Sequence, residues 1–333
     1  MDQVAFFTEN GWIYWRPILL VLGALAAALM TLALCILRKR RIAALLLALP
    51  LAVVLSLFFA RIIHWYCRYE SYESLRAALQ TLEGGGYSLI GAFLGVPLAL
   101  GIARLCKLED NLPALLDCAA PGAALGIAIG RLGDLFTYAD RGKMFVTNPA
   151  LQRLPYATTV VNATSGATEW RFATFFMQSL VGAVLFVLLM VMFLLRSKRR
   201  RDGDVALIFL TLYSISQVVL DSTRYDALFL RSNGFVSLEQ ILCAVVLVGA
   251  VILLSVRSIR NDGFRVFHIV MWVAALAGLG GAGYMEYYVQ RHGDAYMLAY
   301  KLMTAALLLC LLAILLLLLV RKRRRGRRIA PSH

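Results

Sequence analysis

The chain has 333 residues, of which 61% are hydrophobic and only 16% are charged, and this composition excludes an ordinary soluble protein. Its apolar runs are roughly 18 to 24 residues long, which is enough for helices to cross a hydrocarbon core about 30 Å thick. The sequence therefore predicts an integral membrane protein, and the length of the runs favours helices over strands as its spanning elements.

The net charge of +15 is concentrated in short basic blocks beside the apolar runs. This is the distribution that the positive-inside rule produces. No basic surface interleaved with aromatic residues accompanies the charge, so nucleic acid is not an expected partner. Anionic lipid is expected, because juxtamembrane basic clusters attract acidic headgroups. The blocks are Arg38 to Arg41, Lys198 to Arg201, Arg257 to Arg265 and Arg321 to Arg328.

The apolar runs alternate between basic connections and connections of mixed polarity. Placing every basic block in the cytoplasm puts the N-terminus outside and the C-terminus inside. The predicted fold class is all-α, a polytopic membrane helix bundle of about nine transmembrane helices. Two outside connections are long: residues 61–87 are a predicted outer arm, and residues 134–171 a predicted small outer head segment. The runs are 17–37, 42–60, 88–103, 112–129, 172–195, 205–220, 238–256, 266–285 and 297–320.

Ionisable residues stand at the outer ends of three predicted helices, where such groups are costly unless they are paired or bound. The planar guanidinium of arginine suits phosphate oxygens, and a nearby carboxylate can orient it or act as a base. Together these residues predict a site for a phosphate-bearing lipid headgroup. They are Arg61 after the second run, Arg131 with Asp134 after the fourth, and Asp221 with Arg224 after the sixth.

Each of these groups also has a simpler interpretation. Asp221 and Arg224 have the spacing of an i, i+3 ion pair at a helix end, and Arg131 could snorkel to the interface. His64, three residues after Arg61, is either an additional base or an interfacial aromatic beside Trp65. The other histidines and the scattered cysteines show no ligand spacing, so neither a metal nor a cofactor is expected.

The motifs between residues 60 and 256 resemble, in the same order, those of the prolipoprotein diacylglyceryl transferases of bacterial inner membranes. Gly130-Arg131-Leu132-Gly133-Asp134 with Gly142 is similar to the signature of that family. The remaining matches are Ala60-Arg61-Ile62, Gly85-Gly86-Tyr87-Ser88 followed by Gly91, Asp221-Ser-Thr-Arg224, and Gln240.

The resemblance implies transfer of the diacylglyceryl group of phosphatidylglycerol to the lipobox cysteine in the signal peptide of a prolipoprotein, with release of glycerol 1-phosphate. It makes Arg131 and Arg224 the catalytic phosphate ligands and Asp221 an orienting or basic carboxylate. It also implies a substrate-binding set, consisting of Arg61, Ser88, Asp134, Asp140, Gly142, Gln217 and Gln240.

The chain departs from the family pattern at several polar positions. Ile90 replaces a His or Tyr, Asp134 replaces Asn, Ala139 replaces a Glu that Asp140 follows one residue late, and Gln217 replaces an arginine. Asp134 adds negative charge at an anion site unless it pairs with Arg131 or is protonated. Two alternatives are therefore a degenerate relative that binds anionic lipid or lipoprotein without catalysis, and a lipid transporter.

The expected domain division is a transferase-like membrane core at residues 1–256 and an additional transmembrane hairpin with a basic tail at residues 257–333. The hairpin lies outside the resemblance. The sequence is compatible with three roles for the hairpin: it seals the bundle, it binds a partner, or it only anchors the chain.

Overall fold

The computed structural model describes residues 4–8, 11–80, 86–137, 141–161, 166–195, 201–230, 234–292 and 296–327, and these are mainly helical. Gly84, Gly85, Ala139, Asp140, Lys198 and Arg328 lie outside these ranges, and so do the side chains of Ile90 and of residues 320–327. The helices are α1 (Trp15–Leu37), α2 (Ile42–Cys67), α3 (Leu75–Gln80), α4 (Leu89–Leu105), α5 (Leu112–Leu132), α6 (Pro149–Gln152), α7 (Thr174–Leu194), α8 (Asp204–Ser222), α9 (Leu238–Asp262), α10 (Val266–Arg291) and α11 (Tyr296–Arg327).

Eight helices in the described ranges are long and apolar enough to cross a membrane, namely α1, α2, α5 and α7 to α11. The ninth predicted span corresponds to α4, which has 17 residues and is therefore about 26 Å long. The prediction of a polytopic helical membrane protein is confirmed. The orientation, with the N-terminus outside, stays a prediction.

Most helices continue past the apolar runs that predict them, and in three cases the additional residues include candidate site residues. α2 extends to Cys67, so Arg61 and His64 lie within the helix rather than in a following arm. α5 extends to Leu132 and includes Arg131 in its last turn. α8 extends to Ser222. An apolar run indicates which part of a helix has side chains that face lipid. The helix itself can extend further, because its length depends on backbone hydrogen bonds and not on hydropathy.

In the described ranges, two short β-hairpins accompany the helices. β1 (Val4–Thr8) pairs with β2 (Gly11–Tyr14) directly before α1, and apolar periodicity does not predict this pair. β3 (Ala157–Val161) pairs with β4 (Thr168–Phe172) in the segment between α5 and α7.

The described residues form two compact units, which are considered separately. The first unit comprises residues 1–195, 202–209 and 223–234. In it, α1 packs against α5, α2 against α4, and α5 against α7. Its apolar core includes Leu34, Leu45, Leu100, Leu115 and Phe193, one from each of these five helices.

The beginning of α8 is held in the first unit by a carboxylate from the middle of α5. Asp117 is buried, and its two oxygens accept hydrogen bonds from the backbone amides of Gly203, at 2.7 Å, and Ala206, at 2.9 Å. Because the first amides of a helix have no partner within the helix, Asp117 acts as an N-cap supplied from a distant part of the chain.

The second unit comprises residues 196–201, 210–222 and 235–333. Its helices α9 and α10 are joined by side-chain hydrogen bonds, two of which lie near the connection between these helices. His268 Nε2 lies 3.0 Å from Ser258 Oγ, and Trp272 Nε1 donates to Ser255 Oγ at 2.8 Å. α11 packs against both helices, so the C-terminal hairpin formed by α10 and α11 is an integral part of this unit.

Candidate active site

Arg61 connects α2 with the loop that precedes α4. Its guanidinium is buried, and it donates from Nε to the carbonyl of Ala78 at 2.5 Å and from Nη1 to the carbonyl of Gly86 at 2.9 Å. The rings of Tyr72 and Tyr87 each lie 5.1 Å from its Cζ, which is within cation–π range. Arg61 therefore bonds to α3 through one hydrogen bond and to the loop before α4 through the other, and it also contacts two aromatic rings.

Gly86 is the residue that allows this loop to approach α2 so closely. It has a φ of +83°, which non-glycine residues rarely adopt. A Cβ at this position would lie 2.5 Å from Tyr72 Oη, 2.8 Å from Arg61 Nη1 and 2.9 Å from His64 Cε1. The hydroxyl of Tyr72 is also 3.0 Å from Nδ1 of His64. We refer to Arg61, His64, Tyr72 and Gly86 as the Arg61 cluster.

Ser88 follows this cluster and is buried immediately before α4. Its backbone amide donates to the carbonyl of Ala60 at 3.1 Å, so the serine lies beside the turn of α2 that carries Arg61. The structure thus places Ser88 next to the turn of α2 that carries Arg61, and the role of both residues in substrate binding stays a prediction. Tyr72, which the sequence analysis did not single out, belongs to the same neighbourhood.

Asp134 lies between two arginines. It belongs to a 3₁₀ turn, Gly133–Phe136, that directly follows α5. Its Oδ2 is 3.6 Å from Nη1 of Arg131, and its Oδ1 is 2.8 Å from Nε of Arg16 at the beginning of α1. The contact with Arg16 is an ion pair rather than an aligned hydrogen bond. Asp134 therefore pairs with Arg131, which is one of the two conditions that the sequence analysis sets for an acid at this position. Because Arg16 adds a second positive charge, the three side chains together carry an excess of positive charge.

Arg16 was missed by the sequence analysis. It follows Trp15 directly before the first apolar run, where a lone arginine has the pattern of an interfacial anchor. Only the packing of α1 against α5 brings it to Asp134. No local spacing in the sequence reveals this pairing, because 117 residues of the chain separate the two positions.

Gly142 and Arg224 are neighbours on two paired backbone segments. They form an isolated antiparallel bridge, flanked by hydrogen bonds from Lys143 N to Thr223 O at 2.7 Å and from Tyr225 N to Arg141 O at 2.9 Å. A Cβ on Gly142 would lie 2.6 Å from the carbonyl oxygen of Phe172. The signature glycine is therefore needed for close packing, and it places the segment that carries Arg224 beside the end of the signature.

The Arg224 side chain is largely buried, and its Nε lies 3.3 Å from Oδ1 of Asp226. α8 ends at Ser222, so Arg224 lies beyond the helix. The interpretation of Asp221 and Arg224 as an i, i+3 ion pair at the helix end stays a prediction.

In the second unit, Asp221 and Gln240 belong to one hydrogen-bond network. Asp221 is 1% exposed and accepts a short hydrogen bond from Ser237 Oγ. Ser237 and Gln240 form a capping box at the beginning of α9, in which Ser237 Oγ accepts from Gln240 N at 3.2 Å and Gln240 Oε1 accepts from Ser237 N at 2.9 Å. Gln240 Nε2 also donates to the carbonyl of Val218 at 3.0 Å.

Gln217, the remaining predicted binding residue of the second unit, is fully buried on α8. Ser237 was missed at the sequence level, although Ser-x-x-Gln before an apolar run is the pattern of a capping box. The network also includes Glu286 of α10, whose Oε2 accepts from Gln240 Nε2 at 2.9 Å.

Comparison with known proteins places these motifs in one family. The family model described as prolipoprotein diacylglyceryl transferase matches residues 3–256. Curated relatives named phosphatidylglycerol–prolipoprotein diacylglyceryl transferase include one from Dehalococcoides mccartyi, 30% identical over 260 residues that cover 74% of this chain and 92% of the relative.

Two other relatives with the same name show similar coverage. The protein of Finegoldia magna is 28% identical over 256 residues, which cover 74% of this chain and 94% of the relative. The protein of Clostridium kluyveri is 24% identical over 263 residues, which cover 79% of this chain and the whole of the relative. Because the family model extends over more than half of the chain and includes all the motifs described above, the chain belongs to the prolipoprotein diacylglyceryl transferase family.

Proposed function

We propose that this protein transfers the diacylglyceryl group of phosphatidylglycerol to the thiol of the lipobox cysteine of prolipoproteins, as a multi-pass enzyme of a bacterial inner membrane. In the reaction, the bond between the glyceryl carbon and the phosphate oxygen breaks and a carbon–sulfur bond forms. The electron pair leaves with glycerol 1-phosphate, and the thiol proton goes to a base. The names of the relatives and the membrane-spanning helices support this proposal.

The observation that carries the proposal is the pairing of Asp134 with both Arg16 and Arg131. An acid at a phosphate site would cancel the positive charge of a single arginine that faced it. Two arginines around one carboxylate leave a positive charge for the phosphate of the lipid headgroup. The departure from the family pattern at Asp134 is thus compensated within the first unit.

The arginines act on the leaving group and a carboxylate acts on the nucleophile. Arg131 and Arg224 hold the phosphate and stabilise the charge that develops on its oxygen as the bond breaks. The thiolate is the reactive form of cysteine, so the thiol must lose its proton. Asp221, held by Ser237, is the carboxylate that orients or accepts this proton.

The substrate-binding residues have supporting roles. Arg61 and Ser88 shape the loop before α4, and Gly142 holds the Arg224 segment close. Gln240 supports Asp221 through Ser237. Gln217 belongs to the buried face of α8, and Asp140 is assigned from the family motif alone.

The test is transfer in proteoliposomes that contain phosphatidylglycerol and a synthetic lipobox peptide. The wild-type protein should increase the mass of the peptide by one diacylglyceryl group. Arg131→Ala and Arg224→Ala should each abolish this product at an unchanged protein level. Arg153→Ala, which removes an exposed arginine, is the matched control and should retain activity.

Other outcomes would favour the two alternatives. Thermal stabilisation that depends on the lipid headgroup, without any product, would indicate a lipid-binding relative. Movement of labelled lipid between leaflets, without any product, would indicate a transporter. A product that survives both Arg131→Ala and Arg224→Ala would refute the site assignment.

A further inference from the structure

The C-terminal hairpin lies beyond the part of the chain that the family model matches. The match ends at residue 256, whereas α10 and α11 begin at Val266 and Tyr296. The contacts of the hairpin itself therefore indicate its role. Two of its buried polar side chains contact residues around the end of α8 and the beginning of α9.

The first of these side chains is Glu286 of α10, which is 2% exposed. A carboxylate inside a membrane-spanning helix is costly unless its oxygens are hydrogen-bonded. Both oxygens of Glu286 are bonded to amide groups: Oε2 accepts from Gln240 Nε2 at 2.9 Å, and Oε1 accepts from Gln290 Nε2 at 2.8 Å. One of these partners, Gln240, is a family motif residue.

A continuous chain of hydrogen bonds leads from Glu286 to Asp221. Glu286 fixes the side-chain amide of Gln240, which also holds the carbonyl of Val218 on α8. Gln240 in turn forms the capping box with Ser237, whose hydroxyl donates to Asp221. Because each member restricts the orientation of the next, Glu286 influences the carboxylate of Asp221 without touching it.

The second side chain is Tyr300 of α11. Its buried hydroxyl donates to the carbonyl of Ser222 at 3.3 Å. Ser222 is the last residue of α8, where carbonyl groups have no partner within the helix. Tyr300 therefore caps the end of α8 one residue after Asp221.

We infer that the C-terminal hairpin is a positioning element of the active site, in which Glu286 and Tyr300 fix Asp221 at the end of α8. Both helices of the hairpin reach the same few residues, which simple anchoring in the membrane would not require. The inference rests on the proposed function in one respect, namely that Asp221 acts on the substrate. Glu286 and Tyr300 are positioning residues, because neither touches the reacting groups.

The experiment combines kinetics with hydrogen exchange on the full-length protein in phosphatidylglycerol nanodiscs. Glu286→Ala and Tyr300→Phe should each lower kcat, by about tenfold for Glu286→Ala, with KM for the lipobox peptide changed less than twofold. Glu286→Gln should restore a large part of kcat, because its amide oxygen can still accept from Gln240. Tyr284→Phe, an exposed tyrosine on α10, is the matched control and should behave like wild type.

Amide exchange in peptides covering residues 217–224 should rise in Glu286→Ala and Tyr300→Phe but not in Tyr284→Phe. Unchanged exchange would overturn the inference, and so would increased exchange with an unchanged kcat in an active enzyme. The exchange measurement does not depend on turnover. If the wild-type protein forms no product, the proposed function fails, and the exchange data alone then support or refute the positioning of Asp221 by the hairpin.

Discussion

Nε of Arg16 lies 2.8 Å from Oδ1 of Asp134, which links the beginning of the first membrane helix to the 3₁₀ turn that follows α5. Arg131 contacts the other oxygen of the same carboxylate at 3.6 Å. Asp134 and Arg16 act as a compensating pair. Their charges cancel, so Arg16, Arg131 and Asp134 together keep a single net positive charge. The charge balance of the site therefore depends on a residue that lies outside every motif recognised in the sequence.

This charge balance predicts a rescue. Arg16→Ala should raise KM for phosphatidylglycerol by about fivefold, which corresponds to about 1 kcal/mol for a partly exposed ion pair. The reason is that Asp134 would then cancel the charge of Arg131. The double variant Arg16→Ala with Asp134→Asn should return KM close to the wild-type value, because both charges of the compensating pair are removed together. Initial rates at varied lipid concentration measure this.

The single variant Asp134→Asn is the control for that cycle. It should bind phosphatidylglycerol at least as well as wild type, because it leaves two arginines without a competing acid. A double variant that is no better than Arg16→Ala alone would show that Arg16 does not act through Asp134.

Gly86 provides a second prediction. Gly86→Ala should lower transfer activity by more than tenfold, because a side chain at a φ of +83° costs about 1–2 kcal/mol and would also overlap Tyr72 and Arg61. Transfer to the lipobox peptide is the measurement. Gly101→Ala in α4 is the control, since a Cβ there meets no atom within 4 Å and should leave activity unchanged. Equal activities for the two variants would mean that the Arg61 cluster does not support catalysis.

The sequence predicts the helices well, because a segment that crosses lipid has to be apolar over a length that can be read directly from the sequence. Each apolar run coincides with a helix, and the resemblance to the family signature draws attention to Arg131, Asp134 and Gly142, whose roles stay predictions. The ends of the helices are predicted less well, as α2 shows by continuing through Arg61 to Cys67. In this part of α2, Arg61 makes buried polar contacts that hydropathy does not describe.

Pairings between distant residues account for most of what the sequence does not show. Asp117 has the appearance of an isolated acid in an apolar run, and only the packing of α5 against the beginning of α8 explains it. Glu286 is similar, since its partner Gln240 lies on another helix. Such pairs depend on helix packing, which no periodicity within one segment specifies.

Arg61 and Arg131 should respond differently to replacement by lysine. Arg61 bonds two backbone carbonyls from different atoms of its guanidinium, which a single ammonium group cannot reproduce. Arg61→Lys should therefore lower thermal stability in detergent as well as activity. Arg131→Lys should mainly raise KM for phosphatidylglycerol, because its proposed role is to bind phosphate.

Arg76→Lys, at an exposed arginine on α3, is the control for both variants. It should leave thermal stability, activity and KM for phosphatidylglycerol unchanged. An Arg61→Lys protein with wild-type stability would contradict the structural role of this side chain.

Asp117 yields a prediction on stability that is independent of catalysis. Asp117→Ala should lower the free energy of unfolding by about 2 kcal/mol, because it removes a capping carboxylate and leaves two amides at the beginning of α8 without their acceptor. Asp117→Asn should lose less, because it keeps one oxygen to accept a hydrogen bond. Asp110→Ala, at an exposed acid shortly before α5, is the matched control. Denaturation in detergent monitored by circular dichroism measures all three, and equal stabilities of Asp117→Ala and Asp110→Ala would show that α8 does not depend on this cap.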